Sequence, residues 1–171
     1  MEFEKLTSLV LDGLTLKLES HQGLNAFTRE RSSFEGWLKV ELCRVLLESG
    51  LDPTPDTNKV DVTCGDWALN VRTVSTNIPH EQVRSVKRSL TRNVEMLIKD
   101  IWKLTNPGKS VNAPKRALLF VVSPLTHENE RWQSIHLGQI TTELSRLEHQ
   151  SFQFASGVPG VLYFGLCSAL G

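Results

Sequence analysis

The side chains best placed to act together lie in one stretch, NKVDVTC-GD-WALNVRTVS, residues 58–75. Two runs with period-2 apolar alternation flank Gly65-Asp66, a pair suited to a tight turn, and the stretch reads as a hairpin over 59–74. Across such a turn paired positions keep a constant sum, so Cys64 faces Trp67, Val62 faces Leu69, Asp61 faces Asn70 and Lys59 faces Arg72. Asp61, Asn70 and Arg72 then share one face of the hairpin. They set a carboxylate and an amide oxygen, both acceptors, beside a guanidinium that can grip a phosphate through two parallel bonds. Val60, Val62, Leu69 and Val71 take the other face and are expected to pack on a helix layer.

Two more groups of charged residues could join this chemistry. Ser33 reads as the N-cap of a helix over Phe34–Ser49 that Gly50 closes. At 100° per residue its buried stripe is Phe34, Leu38, Leu42, Val45 and Leu46, and Glu35 and Glu41 border that stripe. Either glutamate could face the hairpin. Further along, residues 84–116 carry nine Lys/Arg against two Asp/Glu, while residues 1–61 carry seven against eleven. Arg84, Lys87, Arg88, Arg92 and Lys99 form the core of this basic segment, which is the footprint expected for nucleic-acid phosphates or of a long solvated helix. Other chemistries find no support. The five histidines show no HxH or HxxxH spacing, no serine sits in G-x-S-x-G, and neither a P-loop nor G-x-G-x-x-G occurs.

The elements that would position these residues follow from periodicity. Phe3–Glu19 has helical apolar spacing, and residues 20–32 read as a connection. After the second helix comes a proline-rich connection, LDPTPDT, and then the hairpin. Pro79 opens a predicted long helix to about Leu104, in which Val83, Val86, Leu90, Val94, Leu97, Ile101 and Leu104 step by three and four. Arg84, Arg88, Arg92, Lys99 and Lys103 fill a sector about 100° wide, roughly opposite that stripe. Asn-Pro-Gly at 106–108 ends the helix. ALLFVV at 117–122 reads as a central strand covered on both faces, Arg131–Leu147 as a helix, and Gly160–Leu166 as a final apolar strand. This order predicts one α/β domain over residues 1–171, with a mixed sheet sandwiched by helices in three α/β/α layers.

The residues also carry a family resemblance. A helix with an inward glutamate (FEGWLKVELCRVLLESG), a strand with a central aspartate (KVDVT), and an adjoining strand with polar residues two apart (LNVRTV) together resemble the PD-(D/E)XK, or restriction-endonuclease-like, nuclease fold. The long helix and apolar strand that follow fit its order. The resemblance covers about residues 33–123, leaving an N-terminal helix and connection before it and a C-terminal helix and strand after it. In that family the aspartate and a glutamate hold Mg²⁺ or Mn²⁺, a lysine positions or activates water, and a helix glutamate completes the site; the metal stabilises charge and makes hydroxide available. Carried over, Asp61 matches the aspartate, Asn70 stands in place of the glutamate and Arg72 in place of the lysine, with Glu35 or Glu41 as the helix carboxylate. Asp61 and Asn70 would be the metal ligands. Asn70 brings an uncharged oxygen to a site that binds metal mainly through carboxylates, and Arg72 cannot shed a proton at working pH. The resemblance therefore implies a nuclease-like protein with weakened or lost phosphodiester cleavage and a nucleic-acid-binding role. The rival from another class is a structural or protein-interaction domain whose interface is VLYFGL at 161–166.

Length and composition frame these readings. A chain of 171 residues, 40% hydrophobic and 22% charged, suits one domain with a core that needs no disulfides or structural metal. Three scattered cysteines point to a reducing compartment. The acidic start MEFEKLTSLVLDG lacks the features of a signal peptide, and the longest apolar stretch, 158–170, is broken by proline and glycine and falls short of a membrane span. A cytoplasmic, non-membrane protein is expected, with nucleic acid or a second copy of the chain as the partner classes.

Overall fold

The computed structural model describes residues 1–57, 60–85, 89–106 and 113–168. Apolar side chains at helical spacing build α1 (Phe3–Ser20), whose Phe3, Leu6, Val10, Leu14 and Leu18 are buried. The connection after it contains a short helix, α2 (Leu24–Arg29). α3 spans Glu35–Glu48; the Ser33 hydroxyl accepts the Glu35 N–H at 3.3 Å at its start, and Gly50 takes φ +76° beyond its end. LDPTPDT is not merely a connection, because Pro53–Thr57 forms β1. It lies at the sheet edge, where a proline has no ladder bond to lose.

β2 (Val60–Cys64) and β3 (Trp67–Ser75) make the expected hairpin in the expected register, with Cys64 opposite Trp67 and Val62 opposite Leu69. The chain then crosses through α4 (Leu90–Thr105) to β4 (Lys115–Ser123), which pairs parallel to β3. A π-helical turn (Trp132–Leu137) runs into the short α5 (Gly138–Thr142), followed by β5 (Leu144–Gln153) and β6 (Pro159–Cys167). The six strands form one mixed sheet in the order β1-β2-β3-β4-β6-β5, with β3–β4 its parallel pair.

β4 is buried throughout Ala117–Ser123, and its side chains alternate between two cores. Ala117, Leu119 and Val121 join α1 and α3; Leu118, Phe120 and Val122 join α4, Trp132 and Ile140. Among the described residues no helix is long and apolar enough to cross a membrane.

Two expected helices are shorter than their periodicity suggests. The long helix begins at Leu90, capped by the Ser89 hydroxyl, which accepts the Arg92 N–H at 3.2 Å. Residues 79–85 instead form a loop committed to other contacts. The buried Arg31 guanidinium donates to the carbonyls of Arg84 (2.9 Å), Thr76 (2.5 Å) and Ile78 (3.0 Å), and the Arg84 N–H donates to Arg29. Val83 consequently packs in the first core, away from the α4 stripe in the second. The helix expected over 131–147 stops at Thr142, because 144–153 pairs antiparallel along the free side of β6.

Candidate functional site

The hairpin opens where its polar residues sit. Backbone pairing of β2 with β3 runs from Cys64↔Trp67 to Val62↔Leu69, and beyond it side chains bridge the strands. The Asp61 N–H donates to Asn70 Oδ1 at 3.0 Å, and the Val71 N–H donates to Asp61 Oδ2 at 2.8 Å. Asp61 and Asn70 are thus the cross-strand neighbours that the constant-sum rule requires. The opening rotates the end of β2. Val60, expected beside Val62, packs instead in the second core with Ala68 and Val74.

Arg72 fills the gap. Its Nη1 donates to Asp61 Oδ2 at 2.8 Å and its Nε to Asp100 Oδ2 at 2.6 Å, so one guanidinium ties β2 and β3 to α4. Lys39 on α3 approaches the other Asp61 oxygen at 3.0 Å, and Lys103 reaches Asp100 Oδ1 at 3.5 Å. The Asp61 and Asp100 side chains are only 17% and 13% exposed, so their charges are little screened by water. Burial works against the charged form of Arg72. The Asp100 hydrogen bond and the charges of Asp100, Asp61 and Glu35 outweigh it and hold the guanidinium pKa above its ordinary value.

The structure also separates the two helix glutamates. Glu35 Oε1 accepts the Thr73 N–H of β3 at 3.1 Å, one residue from Arg72. Glu41 faces elsewhere, paired with Arg44 at 2.5 Å on the side where Arg44 also meets the Gly13 carbonyl of α1. The site therefore comprises Glu35 and Lys39 from α3, Asp61 from β2, Asn70 and Arg72 from β3, and Asp100 from α4. Among the described residues no group of three His, Cys, Asp or Glu side chains is arranged to hold a metal ion.

The chain matches no known family model, no curated protein and no solved structure. Its chemistry is read from its own residues.

The basic residues do not form one helical band. Arg84 lies in the loop before α4, paired with Glu30 at 3.2 Å, whereas Arg92 and Lys99 are exposed on α4. Lys87 and Arg88 lie outside the described residues, as does Lys59. Lys39 and Asp100 were missed by sequence reasoning. Lys39 follows Glu35 by four residues, the spacing that puts two side chains on one helix face. Asp100 carries a weaker signal, as one of two acidic residues in the basic segment 84–116.

Proposed function

We propose that this chain is a PD-(D/E)XK-type, nuclease-like protein, with helices on both faces of the sheet in a restriction-endonuclease-like three-layer arrangement. In this reading it has lost metal-dependent cleavage and keeps a nucleic-acid-binding role. The order helix, antiparallel strands, crossover helix, parallel strand supports the fold assignment. The observation that carries the functional reading is Arg72 lodged between Asp61 and Asp100.

The donor set fits Mg²⁺ or Mn²⁺ poorly. Both Asp61 oxygens already meet cations, Asn70 Oδ1 and Glu35 Oε1 accept backbone N–H groups, and Asp100 is shared by Arg72 and Lys103. A divalent ion would have to displace a guanidinium held by two charge-assisted bonds, in a pocket whose Asn70 adds no negative charge. Arg72 and Lys39 neutralise the carboxylates instead, and no hydrolytic step follows from that arrangement.

The burial of Gly160–Gly165 within β6, between β4 and β5, supports this reading over the protein-interaction rival, whose expected interface was VLYFGL.

Supercoiled plasmid incubated with Mg²⁺ or Mn²⁺ tests the reading. The native protein is expected to leave it intact. Asn70→Glu with Arg72→Lys is expected to restore an acidic pocket with an amine and to gain nicking, which Asp61→Ala then abolishes. Metal-dependent cleavage by the native protein would overturn the loss of activity. Absence of any salt-dependent affinity for nucleic acid at low ionic strength would overturn the binding role.

A further inference from the structure

We infer that the outer face of α4 is a stacking platform for single-stranded nucleic acid, with Trp102 beneath a base and Lys99 and Lys103 on the flanking phosphates. The inference rests on the nucleic-acid-binding reading and gives it a strand class and a place. Trp102 is 52% exposed, whereas Trp67 and Trp132 are buried in the two cores. Its indole N–H donates to Glu143 Oε2 of the turn after α5 at 2.7 Å. That bond fixes the ring and uses its one donor, so the ring offers a partner mainly its π-face. The ring lines a groove of about 440 Å³ between α4 and α5, together with Ile98 and Lys99.

Charge decides what such a face can take. Lys99 precedes Trp102 by three residues, and Lys103 lies one turn beyond Lys99 on the same side of the helix. Lys103 is 74% exposed and meets Asp100 at 3.5 Å, so its ammonium can also reach an incoming anion. Arg92 extends the basic line two turns toward the helix start. Glu95 and Glu143 line the groove as well; Glu143 is engaged by the indole, and Glu95 stands one turn before Lys99 on α4. An aromatic face beside spaced cations suits bases that are free to unstack, because every base has a π-face; a duplex keeps its bases stacked and out of reach.

The test measures binding of fluorescein-labelled oligothymidylate, and of a duplex of equal length, by anisotropy across a salt series. Trp102→Ala is expected to weaken single-strand binding about five- to 150-fold, while Trp102→Phe keeps most of the affinity. Lys99→Ala with Lys103→Ala is expected to reduce the slope of log K against log salt by about 1.4. Unchanged melting temperatures would show that each variant folds. If Trp102→Ala binds the single strand as the native protein does, or the native protein binds only the duplex, the platform is overturned while nucleic-acid binding stands. Binding of neither probe at low salt overturns both.

Discussion

Replacing Arg72 by alanine should be among the costliest single changes outside the two apolar cores. The guanidinium makes charge-assisted bonds to Asp61 at 2.8 Å and to Asp100 at 2.6 Å, and its side chain is 25% exposed. Bonds to charged groups contribute about 1.5–3 kcal/mol each, and leaving a buried charge unpaired costs more than the pair itself contributed. The remaining cations soften the loss unequally. Asp61 keeps Lys39 at 3.0 Å and the Val71 N–H, whereas Asp100 keeps only the largely exposed Lys103 at 3.5 Å among its ion-pair partners. The net cost should be about 2–4 kcal/mol, which for a chain of this length lowers Tm by about 4–16 °C in thermal unfolding followed by circular dichroism. Replacing all three charges together (Asp61→Asn, Arg72→Met, Asp100→Asn) should cost less than Arg72→Ala alone, since neither of the two shielded carboxylates is left without its guanidinium. A Tm loss under about 2 °C in Arg72→Ala would refute the bridging role.

Two further outcomes test other parts of the fold. The Trp132 indole N–H donates to the Tyr163 hydroxyl at 2.8 Å, leaving the hydroxyl proton for His127 Nδ1 at 2.9 Å. Burial, and then the stacked His149 ring, hold the His127 pKa below its ordinary value, and burial and Arg131 do the same for His136. The unfolded chain therefore takes up protons that the folded one refuses as pH drops below about 6.5. Tm should fall between about pH 7 and about pH 5.5, and a flat profile there would count against the lowered pKa of the half-buried His127 and the buried His136. Gly160→Ala would set a Cβ 2.6 Å from Phe152 Cζ, and Phe152 is itself buried against Phe154. Overpacking of this kind costs about 1–3 kcal/mol, measurable as a raised sensitivity to urea; wild-type stability would mean that Phe152 has room to move.

The hairpin's turn and its register from Cys64 to Asp61 were legible in the sequence because what specifies them is local: a Gly-Asp turn, period-2 patterning, and a constant sum that put Asp61 opposite Asn70; the turning of Val60 into the second core was not. The same holds for the α4 stripe from Leu90 to Leu104, where the spacing of apolar residues already fixes which side is buried. The choice between Glu35 and Glu41 could not be made that way. Both border the apolar stripe of α3, and only the packing of α3 against β3 on one side and α1 on the other gave them different neighbours. Helical spacing extended over 79–85 and 144–147, yet Arg31 holds the Arg84 carbonyl in a loop and the free side of β6 drew the second segment into a strand. Asp100 and Arg72 stand 28 residues apart, one in the crossover helix and the other in the strand before it, and nothing in either residue's neighbourhood announces the other. Local patterning sets which face each element buries, because that depends on a few adjacent side chains. The partners of a charge depend on which elements are brought side by side, and only the assembled sheet and helices decide that.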